Sequence, residues 1–289
     1  MLSAELNSYA KINFGLRILE KREDGFHNLE TIFYPVKLHD KINIKIKRSE
    51  LPSNSVILKS NRSYIPLTRD NLCYKAVEYF FREFKITEFY RIEIELDKLI
   101  PVGGGLGGGS SNASVIIKFL LKYFNMDISV HRKKILELAL KLGSDVPFFL
   151  IHKPCYASGR GEKITILKDF INAYDILIVN PNLHISTKWA FENLNFESGK
   201  KTEPVLDKVK FLNIENFSLL VNDFENIVFN KYEELKNIKE ELKKFGAVYS
   251  SMSGTGATMF GLFEKNKKGT LNKCRDYYKD KKYFTFISV

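Results

Sequence analysis

The sequence has little of what would place a chain in a membrane or hold it together with disulfide bonds. No run of about 18 apolar residues occurs, so no membrane-spanning helix is expected. Its three cysteines, Cys73, Cys155 and Cys274, are far apart and lack metal-ligand spacing, which is typical of reduced thiols. The first residues contain neither a basic nor an apolar stretch, so no signal peptide is expected. These absences predict a cytoplasmic protein with no dedicated metal cluster.

Positive charge is the one compositional feature that could indicate nucleic-acid binding. Lysine and arginine number 45 against 34 aspartates and glutamates, a formal net charge of +11. The lysines nevertheless alternate with glutamates in helical stretches such as residues 231–236, a pattern more often found on a solvated surface. A basic surface also attracts polyphosphate substrates. Composition therefore leaves both a nucleic-acid partner and a phosphorylated small molecule open.

The most unusual stretch is PVGGGLGGGSSNAS at residues 101–114, where six of the seven residues from Gly103 to Gly109 are glycine. So dense a run indicates backbone with positive φ that approaches a ligand closely, because glycine otherwise costs conformational entropy. An alternating strand pattern precedes the run, and apolar residues at helical spacing follow it. The residue types at 110–112, Ser-Ser-Asn, favour a helix N-cap there. Strand, glycine loop and helix N-terminus together predict an anion site.

Several kinds of glycine-rich segment have to be distinguished. A flexible linker is disfavoured because a strand and a helix flank the run. A Walker A loop is excluded because Gly109 stands where its lysine belongs. A Rossmann fingerprint matches through Gly103, Gly105 and Gly108, but the match is weak, and about a hundred residues precede it. The downstream motifs of a protein-kinase loop are absent from the sequence.

The loop resembles the phosphate loop of the GHMP kinases, the family of galactokinase, homoserine kinase and mevalonate kinase. Pro101, Val102 and Gly105-Leu106-Gly107 match the family pattern, whereas the inserted Gly108-Gly109 departs from its general form. That variant is similar to one branch, whose acceptor is a methylerythritol carrying a cytidine diphosphate group. A second string, GSDVPFF at residues 143–149, resembles the family segment that carries the catalytic aspartate, here Asp145.

This resemblance implies an α+β protein with the two-domain GHMP kinase fold. Residues 1–160 would form an N-terminal β/α domain of the ribosomal-protein-like type, and residues 161–289 a C-terminal ferredoxin-like α/β sandwich. The residue pattern agrees for the second half, where helices and strands alternate as in helices packed on an antiparallel sheet. The pattern predicts strands near residues 9–16, 29–36, 41–48 and 90–96, helices beginning at Asn71 and near Ser129, and one helix over residues 224–245.

The resemblance also implies which residues bind ATP. Asn71 is expected near the nucleoside and Lys98 near the adenine. A Ser-Gly-Thr-Gly segment containing Gly254 and Thr255 is expected beside the phosphate loop. The phosphates would be held by the loop itself: Pro101, Val102, Gly103, Gly104, Gly105, Leu106, Gly107, Gly108, Gly109, Ser110 and Ser111. Mg²⁺ is expected to accompany ATP on its phosphates, without a metal site built from protein residues.

On the acceptor side, alternation along the first strand puts Lys11 and Asn13 on one face. The resemblance implies that Lys11 lies near the acceptor hydroxyl, with Asn13 contacting the substrate, and that Asp145 accepts the hydroxyl proton. After the turn signal Asp24-Gly25, Phe26 and His27 match a segment of the cytosine pocket. Phe191 is the better match, and Trp189 the second, for an aromatic residue that stacks on the base.

The predicted activity is therefore ATP-dependent phosphorylation of the 2-hydroxyl of that cytidyl-carrying acceptor, in the non-mevalonate route to isoprenoid precursors. A GHMP kinase for mevalonate, homoserine or a sugar is the first alternative, and the Gly25-Phe26-His27 string argues against it. A basic nucleic-acid-binding protein is the second, and the joint presence of Lys11, the glycine loop and Asp145 argues against it. We expect no nucleic-acid or membrane partner, and a monomer or weak homodimer.

Overall fold

The computed structural model describes residues 1–170, 172–194, 201–209, 211–212 and 215–289. In chain order its elements are β1 (Leu2–Lys21), β2 (His27–Arg48), β3 (Ser55–Ser60), α1 (Leu72–Glu83), β4 (Tyr90–Asp97), α2 (Gly108–Tyr123), α3 (Arg132–Leu142), α4 (Val146–Ile151), β5 (Cys155–Gly159), β6 (Lys163–Ile166), β7 (Tyr174–Asn180), α5 (Thr187–Glu192), α6 (Phe224–Lys231), α7 (Glu233–Lys244), β8 (Tyr249–Met252), β9 (Met259–Glu264), α8 (Lys268–Asp280) and β10 (Phe284–Ser288).

The chain divides into two compact units, and each is assembled from separate stretches. The first unit comprises Met1–Ala10, Leu38–Ile100 and Gly107–His152. The second comprises Lys11–Lys37, Pro101–Leu106 and Lys153–Val289. The long strands β1 and β2, which pair with each other, therefore contribute residues to both units. The expected division of the sequence into domains at residue 160 stays a prediction.

The first unit is a small sheet covered by helices. Strand β4 runs antiparallel to β2, with Ile94 opposite Ile44, and parallel to β3 on its other side. Every second residue of β4 is buried, as the alternation predicts. These side chains form one core with the apolar positions of α1 and α2, including Phe80, Ile116 and Leu120. This packing holds the N-terminal end of α2 against the sheet.

The second unit contains an antiparallel sheet with strand order β10-β7-β9-β8. Its register places Leu177 opposite Gly261 and Ile287 opposite Leu177 on the other side. Helices α7 and α8 pack on this sheet through a core that includes Leu235, Leu242 and Tyr278. The α/β sandwich expected for the second half of the chain is confirmed. In the same unit, residues 29–33 of β2 pair with β5, which pairs with β6.

Some predicted boundaries were wrong. Strand β1 begins at Leu2 and not near Tyr9, and β2 is one continuous strand and not two. Pro35 lies between the residues of β2 that pair with β5 and those that pair with β4. A proline lacks an amide hydrogen for a ladder bond, which fits its place between the two paired segments of the strand.

The helix predicted over residues 224–245 is two helices, α6 and α7. They are separated at Tyr232, whose φ of −126° and ψ of 75° are not helical. The helix expected near Ser129 begins at Arg132, with His131 at its N-cap. Ser129 instead donates its hydroxyl to Asp127, in a turn before the helix. Strands β3, β5 and β6 had not been predicted.

The three cysteines are buried free thiols. In the part of the chain that the structure describes, no helix is long and apolar enough to span a membrane. The described residues also contain no group of three or more histidine, cysteine and acidic side chains arranged to hold a metal ion.

A buried polar network in the first unit centres on Asp40, which is fully buried. Its Oδ1 accepts hydrogen bonds from the amides of Leu99 and Ile100, each at 2.8 Å. Its Oδ2 forms an ion pair with Lys98 and accepts from Asn112 Nδ2 at 2.9 Å. Because Asn112 belongs to α2, this carboxylate ties the end of β4 to the first turns of that helix.

We expect Asp40→Ala to destabilise the protein by about 3–5 kcal/mol, because it leaves the buried ammonium of Lys98 without its counter-charge. Urea denaturation measures the effect. Glu93→Ala, which removes the exposed partner of Arg91, serves as the control and should change stability little. Equal losses in the two variants would contradict a central role for Asp40.

Candidate active site

The glycine run is divided between the two units, and its first part, Pro101–Leu106, belongs to the second. Gly105 has φ of +75°. A Cβ atom on it would collide with the carbonyl oxygen of Ser253, so only glycine fits there. The hydroxyl of Ser253 donates to the carbonyl of Gly105 at 2.9 Å, and the amide of Thr258 donates to the carbonyl of Gly104 at 3.3 Å. The Ser-Gly-Thr-Gly segment thus packs against this part of the loop.

The second part of the run opens helix α2 in the first unit. Gly107 is its N-cap, with φ of +70° in the left-handed region, and it provides no side-chain capping bond. The expectation that residues 110–112 cap the helix was wrong, because the helix begins at Gly108 and these residues lie within its first turns. The first amides of an α-helix have no partners within the helix. With no cap side chain in front of them, they fit a phosphate group.

Lys11 lies in the second unit and is only 3% exposed. Its Nζ donates to Asn13 Oδ1 at 2.6 Å and to the carbonyl of Gly105 at 2.7 Å. The backbone amide of Lys11 donates to the carbonyl of Leu106 at 3.1 Å. Strand β1 and the glycine loop are therefore joined at this lysine. The predicted shared face of Lys11 and Asn13 is confirmed, and the contact with the loop carbonyl could not be predicted from sequence.

The residues expected to recognise the base also lie in the second unit. The rings of His27 and Phe191 are 5.3 Å apart at an interplanar angle of 31°. Burial, and then the positive charge of Lys21, lower the pKa of His27. The imidazole is therefore neutral at pH 7, with one nitrogen donating and the other accepting. Phe26 is 52% exposed and lies under the guanidinium of Arg160, 4.6 Å from it.

The two candidate stacking residues point to different surroundings. Phe191 contacts His27 and Phe224. Trp189 instead lies 4.1 Å from the ammonium of Lys231. Both belong to α5, and side chains two positions apart on a helix do not face the same way. The structure therefore brings Phe191, and not Trp189, to His27.

Asp145 belongs to the first unit and is partly exposed. It stands at the N-cap position of α4, as its place between a glycine and an apolar run suggests, but its side chain makes no capping hydrogen bond. The carboxylate is thus not used to begin the helix.

The two residues predicted near the nucleoside have structural partners in the first unit. Asn71 caps α1 by accepting from the amide of Cys73 at 2.9 Å, as its residue type predicts. Lys98 is 5% exposed and is bonded to Asp40 and Asn112. Their contacts with a nucleotide stay predictions.

The polar residues around Lys11 differ in how well the sequence indicated them. Thr31, which bonds the side chain of Asn13, carried no sequence signal. Ser253, which bonds the loop, belongs to the Ser-Gly-Thr-Gly segment that was expected beside the loop. The side chain of Asn222 donates to the carbonyls of Met252 and Gly254, both at 2.8 Å, and so holds the turn that carries Ser253. Asn222 stands in the string Asn-Asp-Phe-Glu, which resembles a family element without a clear role and which as a pattern also fits a helix cap.

Two family models match the chain: "GHMP kinases N terminal domain" over residues 71–153 and "GHMP kinases C terminal" over residues 208–280. The chain belongs to the GHMP kinases, and its fold is the two-domain fold of that family.

Similar proteins within the family carry one name. A 4-diphosphocytidyl-2-C-methyl-D-erythritol kinase of Porphyromonas gingivalis is 39% identical over 89% of this chain and 90% of its own length. A kinase of the same name from Clostridium botulinum is 36% identical over 97% of this chain and 98% of its own. The crystal structure of a 4-(cytidine 5'-diphospho)-2C-methyl-D-erythritol kinase matches with a TM-score of 0.78 at 26% identity, covering 99% of this chain and 98% of that one.

We expect Gly107→Val to weaken ATP binding at least about tenfold, because a β-branched residue is strained at positive φ and its side chain crowds the helix amides. Isothermal titration calorimetry measures the dissociation constant. Gly269→Val is the control, since a Cβ at Gly269 has no neighbour within 4 Å. An unchanged ATP affinity in a folded Gly107→Val protein would remove the phosphate-loop assignment.

Proposed function

We propose that this chain transfers a phosphoryl group from ATP to the 2-hydroxyl of 4-diphosphocytidyl-2-C-methyl-D-erythritol, with Mg²⁺ accompanying the ATP. One observation supports kinase activity most directly: the ammonium of Lys11 contacts the carbonyl of Gly105 inside the glycine loop. A cation that could serve an acceptor hydroxyl is thereby held to the loop expected to bind phosphates. The acceptor is supported by the shared name of the relatives.

The loop amides would hold the phosphates of ATP. Free amides at the start of α2, together with the positive end of its dipole, suit a polyphosphate. The glycines matter because a side chain on Gly105 or Gly107 would either collide with its surroundings or strain the backbone. When bound, ATP supplies the phosphoryl group, and Mg²⁺ offsets part of the phosphate charge.

Lys11 and Asp145 would serve the acceptor hydroxyl. The ammonium would orient that hydroxyl and offset negative charge as it develops. The carboxylate of Asp145 would accept the proton, the role that the matching family segment implies for it. Phosphoryl transfer depends mostly on positioning and charge stabilisation, and these two side chains would provide both.

Recognition of the acceptor would rest on His27 and Phe191, with Asn13 and Phe26 as further contacts. A neutral imidazole can both donate and accept a hydrogen bond, which suits one edge of a cytosine. An aromatic ring 5.3 Å away could stack on the base. Phe191 is preferred over Trp189 as the stacking residue because Trp189 packs on Lys231. The cytoplasmic location, the monomeric or weakly dimeric state and the absence of a nucleic-acid partner stay predictions.

An acceptor panel tests the proposal. ADP release is measured with 4-diphosphocytidyl-2-C-methyl-D-erythritol, mevalonate, homoserine and galactose at equal concentration. The cytidyl acceptor should give the highest kcat/KM. A higher kcat/KM with any other acceptor would overturn the proposed substrate while leaving the chain a GHMP kinase.

We expect His27→Ala to raise KM for the cytidyl acceptor about tenfold to a hundredfold, the cost of one well-placed hydrogen bond to a base. KM for ATP should change less than about twofold. Steady-state kinetics with each substrate varied in turn separate the two constants. His131→Ala, at the N-terminus of α3, is the control. If both constants rose together, His27 would not be reading the base.

We expect Asp145→Asn to lower kcat by about 10²–10⁴ with substrate constants nearly unchanged, because it removes a general base but keeps the side-chain shape. Lys11→Ala should also lower kcat. The loss of kcat in the double variant should be much smaller than the product of the two single losses, since both residues serve one hydroxyl. Single-turnover rates on the four proteins measure this, with exposed Asp280→Asn as control. Fully multiplicative losses would mean that the two residues act independently.

A further inference from the structure

In its hydrogen bonds, the ammonium of Lys11 can act only as a donor. An ammonium has three hydrogens to donate and no lone pair to accept. Both of its acceptors given above, Asn13 Oδ1 and the Gly105 carbonyl, are neutral oxygens. Asn13 can hold Lys11 only while its amide oxygen, and not its NH₂ group, faces the ammonium. A rotation of that amide by 180° would set donors against donors.

Thr31 determines which way the Asn13 amide faces. The Thr31 hydroxyl donates to the carbonyl of Gly15 at 2.5 Å. A carbonyl accepts only, so the single hydroxyl hydrogen is used there and the Thr31 oxygen must accept from its other neighbour. That neighbour is Asn13 Nδ2, at 2.9 Å. The Asn13 oxygen is thereby turned toward Lys11.

All three side chains are buried: Lys11 is 3% exposed, Asn13 2% and Thr31 1%. In such surroundings a misdirected hydrogen bond is costly, because bulk water does not compensate an unpaired group. The chain of bonds from Lys11 through Asn13 and Thr31 to the Gly15 carbonyl therefore has one consistent orientation. We call these four groups the lysine relay.

We propose that Thr31 is a positioning residue for phosphoryl transfer, which acts through Asn13 to hold the ammonium of Lys11 in place. Thr31 has no direct part in the chemistry. The inference rests on the proposed function in one respect: Lys11 serves the acceptor hydroxyl. It does not depend on which acceptor brings that hydroxyl.

Two substitutions distinguish the hydrogen bonding of the Thr31 hydroxyl from the packing of the Thr31 methyl group. Thr31→Val keeps the shape and removes the hydroxyl, whereas Thr31→Ser keeps the hydroxyl and removes the methyl group. Thr285→Val is the matched control, because the buried Thr285 hydroxyl oxygen has no hydrogen-bond partner. All three proteins are compared with the wild type by kcat, by KM for ATP and acceptor, and by urea denaturation.

Thr31→Val should lower kcat about tenfold to a hundredfold, since a displacement of about 1 Å at a reacting group can cost as much. KM for ATP should stay within about twofold of wild type. Thr31→Ser should recover most of kcat, and Thr285→Val should match the wild type. An unchanged kcat in Thr31→Val would overturn the proposal. So would an equal loss in Thr31→Ser, because the methyl group and not the hydroxyl would then matter.

A double variant distinguishes positioning from a general structural effect. In a Lys11→Ala protein there is no ammonium left to hold, so adding Thr31→Val should lower the residual kcat less than about twofold. A purely structural role predicts the same loss in both backgrounds. A full tenfold or greater loss in the Lys11→Ala background would therefore overturn the proposal.

One measurement needs neither turnover nor a substituted Thr31. NMR of ¹⁵N-asparagine-labelled wild-type protein reports hydrogen exchange at the Asn13 side-chain amide, assigned by comparison with Asn13→Asp. The relay predicts slow exchange, whereas exchange as fast as for an exposed asparagine would overturn it. Lack of turnover with the cytidyl acceptor by wild type would count against the proposed function alone. The kinetic comparison would then use the acceptor that the panel identifies, and amide exchange would still decide the relay.

Discussion

The contact between the ammonium of Lys11 and the carbonyl of Gly105 is the interaction on which the candidate active site most depends. It joins a strand residue to the glycine loop at 2.7 Å. The loop can offer this carbonyl only because Gly105 has positive φ and lacks a Cβ that would strike Ser253. The buried ammonium donates hydrogen bonds to Asn13 Oδ1 and to the Gly105 carbonyl, and these bonds lower the cost of burying it. Positioning of charge is what phosphoryl transfer requires of a protein.

Each unit holds its part of the glycine run with a buried polar network of its own. In the first unit, Asp40 and Asn112 secure the opening turns of α2, where Gly107 leaves the amides uncapped. In the second, Asn222 holds the turn of Ser253, whose hydroxyl bonds the Gly105 carbonyl. Buried polar groups are costly unless all of them are paired. These networks therefore give the loop a defined conformation in place of the flexibility that its composition suggests.

Much of this arrangement could be predicted from local sequence. Strand alternation put Lys11 and Asn13 on one face, and Asn71 was predicted to begin a helix that it does cap. The antiparallel sandwich followed from the order of helices and strands in the second half. The errors arose where a local sequence pattern is compatible with more than one backbone structure. Ser110 is a good N-cap type, but a left-handed Gly107 begins the helix earlier. Two strands were predicted over residues 29–36 and 41–48, but β2 is continuous from His27 to Arg48.

The sequence by itself determined the family and the glycine-rich motifs that define it, because each motif consists of neighbours within a few positions. Only the tertiary structure shows that Phe191, and not Trp189, lies beside His27, since side chains two positions apart on a helix point in different directions. The bonds of Ser253 to Gly105 and of Asn222 to Gly254 join residues far apart in the sequence. The proposed role of Thr31 likewise depends on its hydrogen bond from Asn13, which lies on the neighbouring strand. Hydrogen bonds over such separations are set by how the strands pair and how the loop packs, and no local pattern encodes them.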